Sequence, residues 1–288
     1  MSTMIALFLV LSALAGCAGE TLTNVKNALP APPAAAAVFS VEMEEYEKTI
    51  RDGNGTVLAE CAYELPVLRA LTEDGNALEA ASSGEGEEAL AAVETFNAHF
   101  GQWKSNPQTL AESAKADWAF RNETGLTPVA YTDDLRCTVY QTEKLISVSG
   151  VYSTYTGGAH PNSILMSWNF DLETGEFFEA EILDKGGDLR EYVHQALVNR
   201  AQEAAAEMGT AASDYYWEDY ADILADWPSY AVSFDQEGMT VAFSPYELAC
   251  YAAGPQVFQL SYGELLPHLD QHGRALLGLE EEPAGETR

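Results

Sequence analysis

Strand-like and helix-like segments are grouped along this chain, and the grouping restricts the folds open to it. A strand hairpin over about 38–68 precedes two helices that end near residue 124. Four strand-like segments between 135 and 178, a long helix over 186–209 and three strands between 230 and 262 follow. Strands that occur in runs, with helices between the runs, are typical of α+β folds. We therefore expect an α+β fold of antiparallel sheets with helices packed on one face, in two small subdomains.

The chain starts with an apolar run, MIALFLVLSALAG, which covers residues 4–16 and precedes Cys17. A membrane-spanning helix needs about 20 apolar residues, so this shorter run has the length of a signal-peptide core. Leu14-Ala15-Gly16-Cys17 resembles the lipobox of bacterial lipoproteins, in which the cysteine thiol receives a diacylglyceryl group and the chain is cut just before it. The resemblance implies a signal peptide over 1–16, lipidation of Cys17 and an extracytoplasmic protein held to the bacterial cell membrane by lipid alone. The alternative is a chance cysteine beside an ordinary cleavage site.

An Ala/Pro-rich stretch follows Cys17 and separates it from the first strand. Proline-rich linkers favour extended polyproline geometry, so residues 17–37 are predicted to form a semi-rigid tether. The folded part is predicted to comprise an N-terminal domain over 38–130, with a strand hairpin plus helices, and an α+β domain over 131–272. Residues 273–288 form an acidic tail.

The net charge of the chain is strongly negative. The sequence has 45 acidic and 14 basic side chains, which leaves a formal charge of −31. Such a surface repels phosphate backbones, so we expect no nucleic-acid partner. The same field would attract a basic protein partner, and the alternative is that the charge serves solubility alone.

The cysteine count limits the disulfides that can form. If Cys17 is lipidated, three cysteines remain, at positions 61, 137 and 250, so at most one disulfide forms within the chain. No Cys-x-x-Cys motif occurs, so neither a zinc ribbon nor a thioredoxin-type redox centre is supported. Cys61 and Cys137 both lie in strand-like segments, and we expect them to be the pair.

Motifs of the common enzyme classes do not occur in the sequence. There is no Gly-x-Ser-x-Gly, no His-Glu-x-x-His and no Walker loop. Gly84-x-Gly86-x-x-Ala89 loosely matches a dinucleotide-binding loop, but the glutamates within it would face the pyrophosphate, so it is better interpreted as a helix start. Pairs of carboxylates carry little information in a chain with 45 acids. We expect no catalysis and no cofactor, and the alternative is a peptidoglycan-modifying envelope hydrolase.

Two histidines near the C-terminus have a spacing found in metal sites. His268 and His272 are four residues apart, which would place both on one face of a helix. Pro267 and Gly273 flank this segment, so two surface histidines are the favoured interpretation. We expect no metal site.

The most specific stretch is VYSTYTGGAHPNSILMSWNF, residues 151–170, in which two strand-like runs flank the connection 155–162. Its Gly-Gly pair permits backbone geometry that a Cβ would forbid, and Pro161 restricts the chain further. A loop held in one shape loses little entropy on binding, and Tyr152, Tyr155 and Trp168 offer amphipathic contact area. The alternative is a structural role, in which the imidazole of His160 bonds neighbouring backbone carbonyls.

The segment LISVSGVYSTYTGGAHPNSILMSWNFDLETGEFF resembles a secreted bacterial domain known from the extracellular part of RsiV-type anti-sigma factors, which are lysozyme receptors, and from PdaC-type peptidoglycan deacetylases. The matching pieces are Ser147-Val148, Tyr155, Gly157-Gly158-Ala159-His160-Pro161, Asp171-Leu172-x-Thr174-Gly175, Phe243-x-Pro245-Tyr246-Glu247-Leu248-Ala249, Gly254, Tyr262 and Glu264-Leu265. The resemblance spans about 40–270, and the part before residue 130 fits the usual N-terminal partner domain of that family more loosely.

The resemblance implies an exported, lipid-anchored binding protein of the cell envelope, without catalysis of its own. Its partner would be a lysozyme-like protein or a cell-wall component such as peptidoglycan. Animal-type lysozymes are basic, so an acidic binder would be steered toward them. The candidate ligand-binding residues are Tyr155, Gly157, Gly158, His160, Pro161, Asn162, Pro245 and Tyr246. For the Pro245-Tyr246 turn, as for His160, ligand contact and a structural role both stay open.

Overall fold

A long strand hairpin opens the described part of the chain. The computed structural model describes residues 38–72, 74–79, 84–184 and 186–279, so Cys17, the predicted signal peptide and tether, and residues 280–288 lie outside it. Strands β1 (Val38–Arg51) and β2 (Val57–Leu71) pair antiparallel. The Asp52 carboxylate closes their turn by accepting hydrogen bonds from the backbone N–H groups of Asn54 and Thr56, each at 2.8 Å.

Two helices follow the hairpin. Helix α1 (Glu85–Gly101) begins directly after Gly84, as the helix-start interpretation of this glycine-containing segment predicts. A short 3-10 turn, Gln102–Ser105, leads into α2 (Asn106–Thr124). Pro107 lies in the first turn of α2, where a missing N–H costs no helical hydrogen bond, and Gly125 ends the helix with φ +74°.

Six strands form the larger sheet, in the order of the sequence. Four strands join the hairpin: β3 (Tyr131–Gln141), β4 (Leu145–Tyr155), β5 (Asn162–Asp171) and β6 (Glu176–Phe178). Neighbouring strands are antiparallel except β2 and β3, which pair parallel. A parallel pair needs a long crossover connection, and α1 and α2 provide it. The predicted boundary near residue 130 lies in this connection, and the sheet continues across it.

A second sheet of three antiparallel strands follows the longest C-terminal helix. The elements are α3 (Leu189–Glu207), α4 (Ala212–Tyr215), α5 (Tyr220–Ala225), β7 (Ala231–Phe234), β8 (Gly238–Phe243), β9 (Gln256–Ser261), α6 (Tyr262–Leu265) and α7 (Gln271–Leu276). Short 3-10 helices lie at Ala180–Asp184, Trp227–Ser229, Tyr251–Ala253 and Leu266–His268. The α+β class is confirmed, and the parallel β2–β3 pair is the departure from wholly antiparallel sheets.

The aromatic and acidic segment YYWEDYADILADW is not one continuous helix. It forms α4 and α5 with a break between them. At the break, Tyr216 makes an isolated antiparallel bridge with Ala249, and the backbone N–H of Trp217 donates to the Leu248 carbonyl at 3.0 Å. These long-range backbone bonds replace the local ones that a continuous helix would need.

The start of α3 also differs from the sequence pattern. Asp188 occupies the N-cap position and Glu191 lies three residues later, the spacing of a capping box, but the capping box does not form. The Asp188 carboxylate instead lies 2.8 Å from Nδ1 of His268. The Asp184 carboxylate accepts a hydrogen bond from the first helical N–H, that of Leu189, at 3.0 Å. A neighbouring turn therefore caps the helix.

Two large hydrophobic cores stabilise the fold, beside a smaller cluster of Leu58, Ala59, Ala114 and Tyr131. One lies between the six-stranded sheet and α1, with Phe96, Phe100 and Phe170 at its centre. The other lies between α3 and the three-stranded sheet, with Trp227 and Phe243 among its buried side chains. Both contain aromatic side chains that are fully buried, so each core contributes substantially to the hydrophobic stabilisation.

Buried polar groups connect the two sheets. Ser147 of β4 is 1% exposed, and its hydroxyl donates to the Asn169 side-chain oxygen at 2.8 Å while accepting from the backbone N–H of Phe234 in β7 at 2.8 Å. The Asn169 amide, in turn, donates to the Val232 carbonyl at 2.8 Å. These bonds satisfy the buried polar atoms and fix β7 against β4 and β5.

The expected Cys61–Cys137 pair is wrong. Both side chains are buried free thiols, and Cys250 is an exposed free thiol. The parallel register of β2 and β3 explains this, because Cys61 lies opposite Asp133, four residues before Cys137. Four residues of a strand span about 13 Å, whereas a disulfide joins Cα atoms less than about 7 Å apart.

Candidate functional site

The loop between β4 and β5 is held in shape by its own residues. The Tyr155 hydroxyl donates to the Gly158 carbonyl at 3.0 Å, which closes the loop. Gly157 has φ +87°, and a Cβ there would lie 2.6 Å from the Arg121 guanidinium and 2.8 Å from the Val129 side chain. Gly157 is therefore required both by its backbone conformation and by the close approach of α2 and its following segment.

His160 stacks on a tyrosine from a distant part of the chain. Its ring and that of Tyr251 have centroids 3.7 Å apart and an interplanar angle of 20°. Nδ1 of His160 lies 2.8 Å from the Pro161 carbonyl, which can only accept, so the proton of this bond is on Nδ1. The Tyr251 hydroxyl donates to the same carbonyl at 3.2 Å. The imidazole is thus oriented by two contacts, and His160 as a whole is exposed.

Tyr246 extends this surface. It has φ +76°, the one positive value among the non-glycine residues of the described chain, and its side chain is 54% exposed. Its ring lies 5.5 Å from that of Tyr251. Its carbonyl accepts a hydrogen bond from the indole N–H of Trp217 at 3.0 Å. A left-handed conformation costs free energy for a bulky residue, and such strain is found more often at functional sites than elsewhere.

We call the surface formed by His160, Trp217, Tyr246 and Tyr251 the aromatic face. All four side chains are exposed or partly exposed, and three separate segments contribute them. Large aromatic side chains with a polar edge supply much contact area at a low entropy cost, which makes them frequent at binding interfaces. The face can therefore bind a protein surface or a sugar ring by stacking and by hydrogen bonds.

The structure brings most of the predicted site residues together. Pro161 and Tyr246 both contact Tyr251, so the β4–β5 loop and the Pro245-Tyr246 turn meet at one surface. Asn162 begins β5 and is paired with Thr154, at the edge of the same loop. Gly158 contributes its carbonyl to the loop closure by Tyr155.

The sequence did not predict two residues of the aromatic face. Tyr251 and Trp217 follow no recognisable motif, and only the fold places them beside the β4–β5 loop. The available signal was the aromatic content of the segments that contain them. Cys17, the predicted lipidation site, lies outside the described residues.

Tyr152 and Trp168, expected as contact residues with Tyr155, lie elsewhere. The Tyr152 hydroxyl donates to the Asp133 carboxylate, and the hydroxyl of buried Tyr63 donates to its other oxygen. Asp133 is 4% exposed, so two hydroxyl groups compensate its burial. Burial, followed by the hydrogen bond to Asp133, raises the pKa of both tyrosines. This cluster is an interior network that sequence reasoning did not identify.

His268 and His272 do not share a helical face. His268 ends a 3-10 helix, Leu269 is extended, and His272 lies in α7. The His268 ring stacks on Tyr192, with centroids 3.8 Å apart, and its Nδ1 contacts the Asp188 carboxylate. Across the residues that the structure covers, no group of three or more His, Cys, Asp or Glu side chains has the geometry of a metal site. No helix in that part of the chain is long and apolar enough to span a membrane.

Comparison with known proteins places the chain beside a family without an assigned function. Residues 181–263 match the family model described as "Protein of unknown function (DUF3298)". No curated protein matches the chain. The crystal structure of a DUF3298 family member from Bacteroides fragilis NCTC 9343 is 15% identical, covers 86% of this chain and 100% of that chain, and superposes with a TM-score of 0.58.

A second crystal structure, of a DUF3298 family protein from Pseudomonas aeruginosa PAO1, is 14% identical and covers 83% of this chain and 96% of that one, with a TM-score of 0.44. At these identities the likeness concerns the fold alone. The chain thus carries a DUF3298 match over residues 181–263 and shares its fold with the Bacteroides fragilis member of that family.

Proposed function

We propose that this chain is an exported, lipid-anchored envelope protein of the RsiV-like type, which binds a basic, lysozyme-like protein through the aromatic face. The observation that carries the proposal is the exposed stack of His160 on Tyr251 beside the strained Tyr246. A surface that holds an aromatic side chain in a costly conformation, and leaves it 54% exposed, is poorly explained by stability alone.

Charge supports a basic partner. The formal charge of −31 would accelerate association with a positively charged protein and would weaken association with anionic polymers. Electrostatic steering of this kind decreases as salt screens the charges, because the Debye length is about 10 Å at 0.1 M ionic strength. Binding should therefore be tighter at low salt than at high salt.

The experiment measures binding of the full chain to hen egg-white lysozyme by biolayer interferometry at low and high salt. The test variant is Tyr246→Gly, which removes the ring while keeping a residue that tolerates positive φ. Phe120→Ala is the matched control, since Phe120 is a similarly exposed aromatic side chain on α2. We expect Tyr246→Gly to weaken binding about tenfold, as loss of a central aromatic contact does, and Phe120→Ala to leave it unchanged.

Three outcomes would overturn the proposal. Equally strong binding of succinylated lysozyme would show that charge does not cause the binding. Binding that Tyr246→Gly leaves unchanged would show that the aromatic face is not the binding surface. Release of muropeptides from purified peptidoglycan by the full chain, lost in His160→Ala, would instead identify an envelope hydrolase.

A further inference from the structure

A separate cleft lies where the two sheets meet. It encloses about 580 Å³, within the range of small-molecule sites, and five of its lining side chains carry aromatic rings: His99, Trp168, Phe177, Phe178 and Tyr230. The His99 ring lies 4.5 Å from that of Phe177 and 6.1 Å from that of Trp168, at interplanar angles of 41° and 70°. Rings set at such angles present both faces and edges toward the same volume.

The fold prepares this cleft specifically. Trp168 packs over Gly150 of the neighbouring strand, where an added Cβ would lie 3.0 Å from the indole ring. The absence of a side chain at position 150 therefore allows the indole to pack closely against β4. The last turn of α1 contributes His99, and the segment before β7 contributes Tyr230.

The charges around the cleft favour a cation. Three carboxylates line it, those of Glu179, Glu181 and Asp226, against one guanidinium, that of Arg190. Arg190 is already engaged, because it forms ion pairs with Glu181 and with Asp226, the latter at 3.4 Å. Burial lowers the pKa of His99, which keeps its imidazole neutral near neutral pH. The lining therefore carries a net negative charge, and an anionic ligand would be repelled.

Several polar groups of the cleft make no hydrogen bond to the described part of the protein. The indole N–H of Trp168 and the ring nitrogens of His99 are among them, although both side chains are partly buried. The carboxylate of Glu179 likewise forms no ion pair with any described residue, and the side chain is exposed at the cleft. Aromatic faces together with an uncompensated carboxylate are the features by which proteins bind alkylammonium groups, through cation–π attraction and charge.

We propose that this cleft binds an organic ammonium ion, with Trp168 and its neighbouring rings contacting the cation and Glu179 compensating its charge. The site is distinct from the aromatic face and does not rest on the proposed function. Strand β5 runs from Asn162, at the edge of the β4–β5 loop, to Trp168 in the cleft. Six residues of a strand span about 20 Å, which separates the two surfaces.

The test measures binding of choline to the full chain by isothermal titration calorimetry at constant ionic strength. The matched probe is dimethylbutanol, the neutral isostere in which a carbon atom replaces the nitrogen of choline. A second titration uses Nα-acetyl-lysine amide, whose side-chain ammonium is free. It distinguishes a lysine side chain of a protein from a free quaternary amine as the ligand. We expect the cationic probe to bind and its neutral isostere to bind at least about tenfold more weakly.

Variants locate the binding. We expect Glu179→Gln to weaken choline binding about threefold, while Glu112→Gln, which makes the same charge change on exposed α2, leaves it unchanged. Trp168→Leu should weaken choline binding about tenfold. If Trp168→Leu is unstable, Glu179→Gln still tests the site. Equal affinity for choline and dimethylbutanol, no choline binding at all, or equal effects of the two glutamate variants would overturn the proposal.

Discussion

The imidazole of His160 stacks on the phenol ring of Tyr251 at a centroid distance of 3.7 Å, although His160 lies in the loop between β4 and β5 and Tyr251 lies in the connection between β8 and β9, far apart in the chain. The hydroxyl of Tyr251 also donates to the Pro161 carbonyl, so one side chain contacts the β4–β5 loop in two ways. This contact joins the glycine-rich loop to the segment after β8. It brings two separate loops together at one surface.

Replacing Tyr251 should loosen the β4–β5 loop. We expect Tyr251→Leu to remove both the stack and the hydrogen bond, and backbone amides within 156–160 to exchange with solvent about tenfold faster, because the loop loses its contact with the β8–β9 connection. Hydrogen exchange followed by mass spectrometry measures this. Tyr251→Phe is the matched variant, since it keeps the stack and loses only the hydroxyl; exchange as fast as in Tyr251→Leu would show that stacking contributes nothing.

Removal of the Ser147 hydroxyl should destabilise the junction of the two sheets. Ser147→Ala leaves the Phe234 N–H and the Asn169 side-chain oxygen without their partner in a buried site, which costs about 1–3 kcal/mol of unfolding free energy. Urea unfolding measures the change. Ser113→Ala on exposed α2 is the control and should change the free energy by less than about 0.5 kcal/mol. A loss as small in Ser147→Ala would mean that this bridge does not stabilise the fold.

Glu264 should make stability depend on pH in the acid range. Its hydrogen bonds with Arg200 and with Ser261 lower its pKa from 4.5 to about 2. A depressed folded-state pKa stabilises the protein above the unfolded-state value, and this contribution is lost as the pH falls from about 4.5 toward about 2.

We therefore expect Glu264→Gln to be less stable than the wild type near neutral pH, and the difference to shrink across that acid window. Because the side chain is 38% exposed, solvent screening keeps the effect small. Thermal unfolding at a series of pH values measures it, and Glu112→Gln, which makes the same charge change on exposed α2, is the control. A Glu264→Gln difference that does not vary with pH would contradict the assignment.

The three cysteines of the described chain should differ in reactivity. Cys250 is exposed, whereas burial raises the pKa of Cys137 to about 12 and also raises that of Cys61. Since the thiolate is the reactive form, we expect a thiol reagent to modify Cys250 in the native protein and the other two only after unfolding. Intact-mass measurement counts the modified thiols. Unfolded, unreduced protein in which both Cys61 and Cys137 resist modification would indicate a disulfide that the structure does not contain.

Cys17 should carry the lipid. We expect radiolabelled palmitate to enter the wild-type protein in a bacterial host and not to enter Cys17→Ala, because Cys17 is the cysteine that follows the lipobox-like Leu14-Ala15-Gly16. Cys250→Ala is the control, which should label as the wild type does. Equal labelling of Cys17→Ala and the wild type would remove the lipoprotein interpretation.

Local patterns accounted for most of the secondary structure. The hairpin turn at 52–55, the start of α2 at Pro107, the end of α3 before Gly209 and the turn before β8 all follow from residues a few positions apart. Turn residues and hydrophobic periodicity act over such short distances along the chain, so these elements can be predicted from the sequence alone. The α+β class followed from the order of these segments.

Other features depend on partners that are distant in the chain. The parallel register of β2 and β3 separates Cys61 from Cys137. The Asp188 carboxylate, which a local capping box would have used, contacts Nδ1 of His268 instead. Long-range pairing also divides the segment around Trp217 and brings Tyr251 against His160. Strand register and the packing of one segment on another depend on the total buried area and on hydrogen bonds across the whole fold. For that reason the sequence alone predicted the β4–β5 loop and His160 as a candidate site. The aromatic face that contains His160, and the cleft around Trp168, are formed by residues that only the tertiary structure brings together.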